Sequence, residues 1–442
     1  MQKISSAELA QVVGVEQKVI DTEIVRVITD SRSAQKGDLF IAIRGEKFDG
    51  HQFASAAIEQ GAELVMVEKA VGSIPADRQL VVKDCLHAYG LIGRWNRQQF
   101  KGTVIGLTGS AGKTTTKEEL KFALSNYGKV YATTGNHNNQ IGVPYTLCNL
   151  DMGADFAVIE MGMSAKGEIA ELVSFTQPDL AVITNVYPMH IEFFPNFEGI
   201  AEAKAEIFTG LKKGGAAVIN EDTNFASLLE QRAKENGARV VKFGREHHSS
   251  APFSLSTEGE HYLYNAWCVL AATEALGLDP STAAARLHEF CALDGRGKIH
   301  EIGFEKGRFR LIDESYSGQP EAMLMAIATL DKMANAGRKI AVLGKMAELG
   351  GTSRARHIEV GKALADSGID IVIGVCPEMK DMLAQLPSSK EQYYFENKDG
   401  LEDFLLNKLL QNNDIVLIKG SHYSTRLFEV AESLLKQGER HA

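Results

Sequence analysis

Residues 104–117 constrain this chain more than any other part of its sequence. They begin with an apolar run typical of a buried strand, pass through a turn of small residues at 109–112, and reach Lys113 and Thr114 at the start of a predicted helix. Glycines let backbone N–H groups surround an anion, the helix N-terminus adds its dipole, lysine supplies positive charge and a threonine hydroxyl can bind Mg²⁺. The pattern therefore predicts a nucleotide-phosphate loop.

The loop has the form T-G-x-x-G-K-T-T, which differs from the most common phosphate-loop spacing. The common pattern has a glycine five residues before Gly112, where this chain has Leu107. A glycine-rich strand-to-helix turn without a ligand is the alternative interpretation. A Lys-Thr pair at a helix start, directly after a strand, favours phosphate binding instead.

The composition narrows the class of protein. With 442 residues the chain is too long for one hydrophobic core, so we expect roughly two to four domains. Its 44% hydrophobic and 24% charged residues are typical of a soluble globular protein. A net charge of −10 argues against general binding to nucleic acid or to an anionic membrane.

No apolar segment is long enough for a membrane span, and the N-terminus lacks a signal-peptide pattern, so we expect a cytoplasmic protein without membrane insertion. The cysteines show neither CxxC pairs nor metal-binding spacing. We expect all of them to be buried free thiols in a reducing compartment. They are Cys85, Cys148, Cys268, Cys291 and Cys376.

Short apolar runs alternate with helical patterns, which predicts an α/β protein of three domains. We place a small N-terminal α/β domain at 1–82, a central, mostly parallel α/β domain with the phosphate loop at 83–295, and a C-terminal doubly wound, Rossmann-like domain at 296–442. One amphipathic helix is predicted from about residue 83 to residue 101. Strands are predicted at 38–43, 62–67, 104–107, 156–160, 180–184, 216–220, 309–312, 339–343, 369–373 and 414–418.

Polar side chains follow several predicted strands of the central domain. Glu160 ends one strand, Asn185 follows another, and His190 and Lys204 lie on the segment that leads into the next helix. Open parallel sheets bind ligands beyond the C-terminal ends of their strands. A carboxylate and an imidazole beside a phosphate loop are therefore candidate Mg²⁺ ligands. Taken alone, Lys204 is interpreted as a solvated surface lysine on a helix.

Short motifs occur in a fixed order along the chain. They are Asp30-Ser31-Arg32, Phe48-Asp49-Gly50-His51, Thr108 to Thr115, Asn136-His137-Asn138-Asn139, Glu160-Met161-Gly162, Glu202-Ala203-Lys204, Gly295-Arg296-Gly297, Asp313-Glu314-Ser315-Tyr316, Glu348-Leu349-Gly350 and Lys419-Gly420-Ser421. In this set and order, the chain resembles the Mur ligases, the ATP-dependent amide ligases of peptidoglycan precursor synthesis. Within that family it is most similar to the members that add D-alanyl-D-alanine to UDP-N-acetylmuramoyl-tripeptide through an acyl phosphate.

The resemblance implies a site with ATP and Mg²⁺. Its catalytic residues would be Lys113, Glu160, His190, Lys204 and Arg296. Thr114 and Glu160 would lie at a first Mg²⁺, and His190 with a carbamylated Lys204 at a second. The ATP-binding residues would be Thr108, Gly109, Ser110, Ala111, Gly112, Lys113, Thr114, Thr115, Asn265, Arg296 and Asp313.

The resemblance also implies which residues bind the other substrates. The N-terminal domain would hold the UDP-sugar, while Asn138 and Asn139 would contact ATP or the nucleotide substrate and the C-terminal domain would bind the amine. These substrate-binding residues would be Ser31, Arg32, Phe48, Asp49, His51, Asn138, Asn139, Tyr316, Lys419 and Ser421. The partners implied are small molecules, and we expect a monomer.

Three segments depart from the family pattern. Ser317 and Gln319 replace two asparagines, Lys345 replaces an aspartate, and the segment 259–266 keeps His261 and Asn265 but loses an arginine and an asparagine. Two alternatives stay open. A related amide ligase of the folylpolyglutamate type would keep the central motifs, and a catalytically weakened paralogue would explain the departures. The first-domain motifs argue against the former, and the intact Lys113, Glu160, His190 and Lys204 argue against the latter.

Overall fold

The structure is a computed structural model that describes residues 1–45, 48–255 and 259–441. It contains one small antiparallel sheet and three larger sheets, which follow one another along the chain. Glu46 and Lys47, in the loop matched to the UDP-sugar motif, lie outside the described residues. No helix in the described part of the chain is long and apolar enough to cross a membrane.

The N-terminal region forms a four-stranded parallel sheet with strand order β3-β4-β5-β6, beside the antiparallel pair β1-β2. Its strands are β1 (Ile4–Ser5), β2 (Glu23–Ile24), β3 (Arg26–Ile28), β4 (Asp38–Ile41), β5 (Leu64–Val67) and β6 (Gln79–Val81). Its helices are α1 (Ser6–Val12) and α2 (Ala54–Gln60). Every residue of β4 and β5 is buried, because apolar side chains cover both faces of this small sheet.

The long helix α3 (Cys85–Gln99) joins the N-terminal sheet to the central one. Its first half packs into the N-terminal core through Tyr89 and Ile92. Its second half is fixed to the central region by buried polar contacts: Asn96 donates to the carbonyl of Leu147 at 2.7 Å, and Arg97 donates to that of Thr176 at 2.9 Å. The helix therefore belongs to both cores.

The central sheet has six strands in the order β12-β11-β10-β7-β9-β8, and every neighbouring pair is parallel. Its strands are β7 (Thr103–Thr108), β8 (Val130–Ala132), β9 (Phe156–Glu160), β10 (Leu180–Ile183), β11 (Ala216–Asn220) and β12 (Arg239–Phe243). Its helices are α4 (Lys113–Leu124), α5 (Gly142–Cys148), α6 (Glu168–Thr176), α7 (Phe197–Ala205), α8 (Ala226–Glu235), α9 (Glu260–Ala275) and α10 (Pro280–Leu287). Hydrophobic cores on both faces explain why its inner strands read as continuous apolar runs.

The C-terminal sheet has the order β13-β14-β18-β15-β16-β17, with β13 antiparallel at one edge and the remaining pairs parallel. Its strands are β13 (Lys298–Phe304), β14 (Gly307–Glu314), β15 (Lys339–Gly344), β16 (Ile371–Val375), β17 (Glu391–Phe395) and β18 (Ile415–Lys419). Its helices are α11 (Pro320–Lys332), α12 (Ser353–Asp366), α13 (Met379–Leu383), α14 (Leu401–Asp403), α15 (His422–Thr425) and α16 (Leu427–His441). Cores on both faces make it doubly wound, as the sequence predicts.

The predicted fold class is confirmed, and the predicted helix at 83–101 forms as α3. One expectation about the cysteines is wrong. Cys291 is exposed, whereas the other four are buried, and none forms a disulfide. Cys291 lies in the irregular segment between α10 and β13, where no sheet or helix covers its side chain.

Candidate active site

A cavity of about 700 Å³ lies at the C-terminal ends of the parallel strands of the central and the C-terminal sheets. The phosphate loop, Glu160 and Asn185 line it from the central sheet, and Glu314 and Lys419 line it from the C-terminal sheet. Such crevices are where open α/β sheets bind ligands. The cavity therefore brings together the strand-end residues that the sequence singles out.

The phosphate loop follows β7 and opens α4, as its sequence predicts. Gly112 has a φ of 77°, which favours glycine, and a Cβ there would lie 2.9 Å from the side-chain oxygen of Asn265. A Cβ on Gly109 would lie 1.9 Å from the hydroxyl oxygen of Thr184. Both glycines are therefore required by close approach of neighbouring side chains. Residues 110–115 line the cavity, whereas Thr108 and Gly109, which were also expected to bind ATP, do not.

The residues after β10 brace the phosphate loop. Asn185 accepts from the Ala111 amide at 2.8 Å and donates to its carbonyl at 3.0 Å. The Thr184 hydroxyl donates to the same carbonyl at 2.7 Å. The Ser110 hydroxyl accepts from the Tyr187 amide at 2.9 Å and donates to its carbonyl at 3.0 Å. These contacts fix the loop in one conformation.

Lys113 lies over the loop and is half-buried in the cavity wall. Its Nζ donates to the carbonyls of Gly109 and Ser110 at 2.8 and 3.4 Å. Burial lowers the pKa of Lys113, the carboxylate of Glu160 opposes that change, and the charge of Arg296 lowers the pKa further. The site thus concentrates positive charge where a phosphate chain would bind.

Glu160 ends β9 and is buried beside the start of α4. Its Oε1 accepts from the Thr114 hydroxyl at 3.1 Å and from the Asn138 side-chain amide at 2.8 Å. Its Oε2 is buried and has no hydrogen-bond partner among the described residues. A buried carboxylate oxygen with no partner, beside a threonine hydroxyl, fits a hard divalent cation such as Mg²⁺. The structure brings Thr114, Glu160 and Asn138 together as expected.

Lys204 is buried near the end of α7, which corrects its interpretation as a solvated surface lysine. Within the described chain, no oxygen forms a hydrogen bond or ion pair with its amine. Burial lowers the pKa of Lys204 well below its usual value, and the positive charge of Lys113 lowers it further. An uncharged buried amine is the form that reacts with CO₂, so the setting fits a carbamate.

His190 lines the cavity and contacts the C-terminal region across it. Its Nδ1 lies 2.5 Å from Oε2 of Glu348. The interaction with the imidazole lowers the pKa of the Glu348 carboxyl group. The ring is not aligned for an ideal hydrogen bond, so we describe this as a close contact between the imidazole and the carboxylate. Its Nε2 has no partner among the described residues.

Arg296 and Tyr316 both line the cavity and contact each other. The Arg296 guanidinium lies 4.1 Å from the centroid of the Tyr316 ring, and the Tyr262 hydroxyl donates to the Arg296 carbonyl. Asp313 does not line the cavity, in contrast to its expected direct contact with ATP. Its carboxylate accepts from the Gly295 amide at 2.9 Å and the Ser315 hydroxyl at 2.6 Å, so it holds the segment that carries Arg296.

Lys419 is buried and paired with Glu314, with 2.9 Å between Nζ and Oε2. Burial would raise the pKa of Glu314, but the charges of Lys419 and His261 outweigh it and lower that pKa. The charge of Lys419 is therefore already compensated by protein. Lys345 is likewise paired, with its Nζ 3.1 Å from Glu378, and it does not line the cavity.

Several further expected residues line the cavity, and some are engaged by the fold. The Asn139 side chain accepts from the Gly142 amide at 2.9 Å, at the start of α5. Asn265, Ser317, Gln319 and Ser421 also line the wall. The Oε1 atom of Gln319 is buried without a hydrogen-bond partner in the described structure, so it is free to receive a ligand.

The expected UDP-sugar residues lie in the N-terminal region and do not line this cavity. Asp30 accepts from the Arg32 side chain at 2.7 Å, beside the buried Ser31. His51 lies with Nδ1 2.6 Å from Asp49, and its Nε2 accepts from the Glu68 amide at 2.8 Å. The Phe48 ring is 73% exposed. These residues lie on the N-terminal region, outside the cavity wall.

Glu348 belongs to a matched motif, but the sequence predicts no partner for its side chain. Tyr187 and Thr184, which brace the phosphate loop, are likewise not predicted from the sequence. A polar run directly after a buried strand was the available signal for the bracing residues. For Glu348 there was none, because its partner lies on a different sheet.

Comparison with known proteins agrees with this geometry. Residues 23–88 match the profile described as "Mur ligase family, catalytic domain", 107–266 match "Mur ligase middle domain", and 300–422 match "Mur ligase, glutamate ligase domain". The chain is 34% identical to the UDP-N-acetylmuramoyl-tripeptide–D-alanyl-D-alanine ligase of Escherichia coli, over 99% of this chain and 100% of that protein. The chain therefore belongs to the Mur ligase family.

Solved structures point to one branch of that family. A crystal structure of MurF from Acinetobacter baumannii superposes with a TM-score of 0.88 at 28% identity, covering 99% of each chain. MurF from Thermotoga maritima, in complex with ADP, gives a TM-score of 0.81 at 29% identity, covering 94% of this chain and 98% of that one. The chain thus resembles MurF along its length, and the family prediction from sequence is confirmed.

Proposed function

We propose that this protein is an ATP-dependent amide ligase that joins D-alanyl-D-alanine to UDP-N-acetylmuramoyl-tripeptide, with release of ADP and phosphate. The observation that carries the proposal is one cavity lined by a braced phosphate loop and by the half-free carboxylate of Glu160. The buried Lys204 does not line this cavity, but it lies near enough to Lys113 for the Lys113 charge to lower the pKa of Lys204. The full-length similarity to ligases of that name supports the choice of substrates.

The ATP phosphates would lie against residues 110–115, and Asn265 would border the nucleotide. Thr114 and Glu160 would hold one Mg²⁺, and His190 with carbamylated Lys204 would hold a second. Bound there, Mg²⁺ would offset negative charge on the phosphates. The other named groups act through their own charge: Lys113, Arg296 and the N-terminus of α4 point positive charge or dipole into the same cavity.

The first step would transfer the γ-phosphoryl group. A carboxylate oxygen of the tripeptide attacks the γ-phosphorus, and the bond to the β-phosphate oxygen breaks, giving an acyl phosphate and ADP. Lys113 and Arg296 stabilise charge on the transferring group, and the braced loop holds the phosphates in line. The protein therefore acts mainly by positioning and charge stabilisation.

The second step would form the amide. The neutral amine of the dipeptide attacks the acyl carbon, the bond from that carbon to the phosphate oxygen breaks, and the proton lost by the nitrogen leaves on the departing phosphate. The unpartnered Oε1 of Gln319 is placed to accept a hydrogen bond from the dipeptide, and Ser317 and Ser421 add hydroxyl groups nearby. Because Glu314 already pairs with Lys419, we assign Lys419 a shaping role and give the polar contacts to the other three residues.

We propose the same division of labour along the chain as the sequence suggests, with residues 1–82 for the UDP-sugar, 83–295 for ATP and 296–442 for closure and the amine. Ser31, Arg32, Phe48, Asp49 and His51 would then contact the UDP-sugar from the N-terminal surface. We propose that the protein acts as a monomer. Because both ATP and the UDP-sugar are nucleotides, we propose that the reaction takes place in the cytoplasm.

A phosphate-release assay tests this proposal. The protein is given ATP, Mg²⁺ and UDP-N-acetylmuramoyl-tripeptide, with D-alanyl-D-alanine, free D-alanine or glutamate as the amine. We expect fastest phosphate release with the dipeptide. Clear preference for glutamate would favour the folylpolyglutamate-type alternative, and no release with any amine would favour a weakened paralogue.

A further inference from the structure

Two residues with unusual backbone conformations meet across the cavity. His190 has a φ of 59° and Glu348 also has a φ of 59°, a region that residues other than glycine seldom adopt. They are in contact, with Nδ1 of His190 2.5 Å from Oε2 of Glu348. Backbone strain of this kind persists where the surrounding structure imposes it, and it concentrates at functional sites.

Each partner is held rigidly by its own region. His190 precedes the short turn Ile191–Phe193, and its carbonyl accepts from the Phe193 amide at 3.0 Å. The loop that carries Glu348 is fixed by the buried His357, whose Nε2 accepts from the Met346 amide at 3.2 Å. The contact is therefore between two preformed loops.

The two loops also pack closely beside the contact between His190 and Glu348. A Cβ on Gly350 would lie 3.0 Å from Cβ of Glu192, so Gly350 lets the C-terminal loop approach the central one. Glu192 itself is exposed and makes no ion pair in the described structure. The interface thus offers two carboxylates, of which only Glu348 contacts the imidazole.

We propose that Glu348 is a positioning residue, which orients His190 so that Nε2 faces the cavity as a metal ligand only when the C-terminal region is docked. A carboxylate beside Nδ1 keeps the proton on that nitrogen and leaves the lone pair of Nε2 for the metal. Because the carboxylate comes from another sheet, docking of the C-terminal region and completion of the metal site are coupled. This inference rests on the proposed function, which places a metal at His190.

Mn²⁺ binding tests the inference without any ligation reaction. Mn²⁺ is added to the full-length protein in the presence of ADP, and the free Mn²⁺ that remains is measured by electron paramagnetic resonance. Since partners of metal-binding histidines affect metal affinity strongly, Glu348→Gln is expected to weaken Mn²⁺ binding by about tenfold or more. The control Glu192→Gln removes the neighbouring carboxylate and is expected to bind Mn²⁺ like the parent protein.

A double variant separates positioning from general loop damage. His190→Ala alone should weaken Mn²⁺ binding, and adding Glu348→Gln to it should cause no further loss, because Glu348 acts through the imidazole. Glu348→Asp keeps the negative charge on a shorter side chain, so its Mn²⁺ affinity should lie between that of the parent protein and that of Glu348→Gln. It also provides a second variant if Glu348→Gln does not fold.

The outcomes are distinct. Parent-like Mn²⁺ affinity in Glu348→Gln, or independent effects of the two substitutions, overturns this inference and leaves the proposed ligase activity standing. Failure of the parent protein to bind Mn²⁺ in the presence of ADP overturns the inference together with the metal part of the proposed function. If the parent protein binds Mn²⁺ in a manner that depends on Glu348 but does not ligate the dipeptide, only the proposed substrates are overturned.

Discussion

The Thr114 hydroxyl donates to Oε1 of Glu160 at 3.1 Å, which joins the start of the phosphate-loop helix to the end of the neighbouring strand β9. The other carboxylate oxygen of Glu160 is buried without a partner among the described residues. The Thr114 hydroxyl and the Glu160 carboxylate therefore bring several oxygen atoms together beside the loop that is predicted to bind the phosphates. The nucleotide and metal parts of the account both depend on this pair.

Replacing Lys113 should abolish ligation while preserving the fold. Lys113→Ala removes a positive charge from the phosphate site, and loss of one such group costs roughly a hundredfold or more in rate. The rate is measured by phosphate release, and the fold by circular dichroism. Lys121→Ala is the control, since Lys121 is on the same helix but is exposed and pairs only with Glu118. A fully active Lys113→Ala protein would refute the phosphate-loop assignment.

Replacing Lys204 should also stop the reaction. Lys204→Ala removes the proposed carbamate, and high formate or acetate should restore part of the rate by filling the vacated space. Because Lys204 is buried, its replacement by alanine also leaves a cavity and is expected to lower the stability, so the rate is compared on protein that circular dichroism shows to be folded. A buried lysine without a catalytic role would leave that rate unchanged. Lys213→Ala, at an exposed lysine without a described partner, provides the matched control. Normal turnover without Lys204 would exclude the carbamate.

The buried Glu119 should make stability fall as the pH rises. It lies on α4 with 1% exposure, its Oε2 has no hydrogen-bond partner in the described part of the chain, and burial raises its pKa well above 4.5. In the unfolded chain the carboxyl group loses its proton near its usual pKa, while in the native protein it stays protonated. The unfolded state then binds fewer protons, so the free energy of unfolding decreases with pH above about 4.5.

Glu119→Gln removes this titration and keeps the shape. Urea unfolding should show little difference from the parent protein near about pH 5 and a growing advantage for the variant towards about pH 8, by at most about 1.4 kcal/mol per pH unit. Glu305→Gln, at an exposed glutamate, should show no such divergence. A parent protein whose stability rises faster with pH than that of Glu119→Gln would contradict the assignment.

The dipeptide site should depend on Gln319. Gln319→Ala removes a buried oxygen that has no hydrogen-bond partner within the described residues. It is expected to raise the KM for D-alanyl-D-alanine by roughly tenfold, as for loss of one hydrogen bond to a charged group. The KM for ATP should change little. Gln385→Ala, in the same C-terminal region but outside the cavity wall, is the comparison. Equal changes in both KM values would assign Gln319 a structural role.

Sequence predicted the parts of this protein that local pattern determines. The phosphate loop and the strand ends at Glu160 and Asn185 depend on short-range order, and they form where expected. Long-range packing decided the rest. Lys204 is buried because α7 packs against the central core, and Lys345 faces Glu378 rather than a ligand.

The same reason explains Asp313 and Glu348. A strand-end aspartate reads as a ligand-binding group, but the turn at Gly295 folds back and uses its oxygens. Glu348 finds His190 only because two sheets far apart in sequence face each other. Neither relationship has a sequence period or spacing from which it could be inferred.

The most direct test of the central claim follows an oxygen atom. UDP-N-acetylmuramoyl-tripeptide carrying ¹⁸O in its terminal carboxylate is incubated with the protein, ATP, Mg²⁺ and D-alanyl-D-alanine, and the products are analysed by mass spectrometry. An acyl phosphate predicts the dipeptide adduct together with inorganic phosphate that carries one ¹⁸O atom. Unlabelled phosphate beside the adduct, label in AMP, or no adduct with the dipeptide would contradict the account.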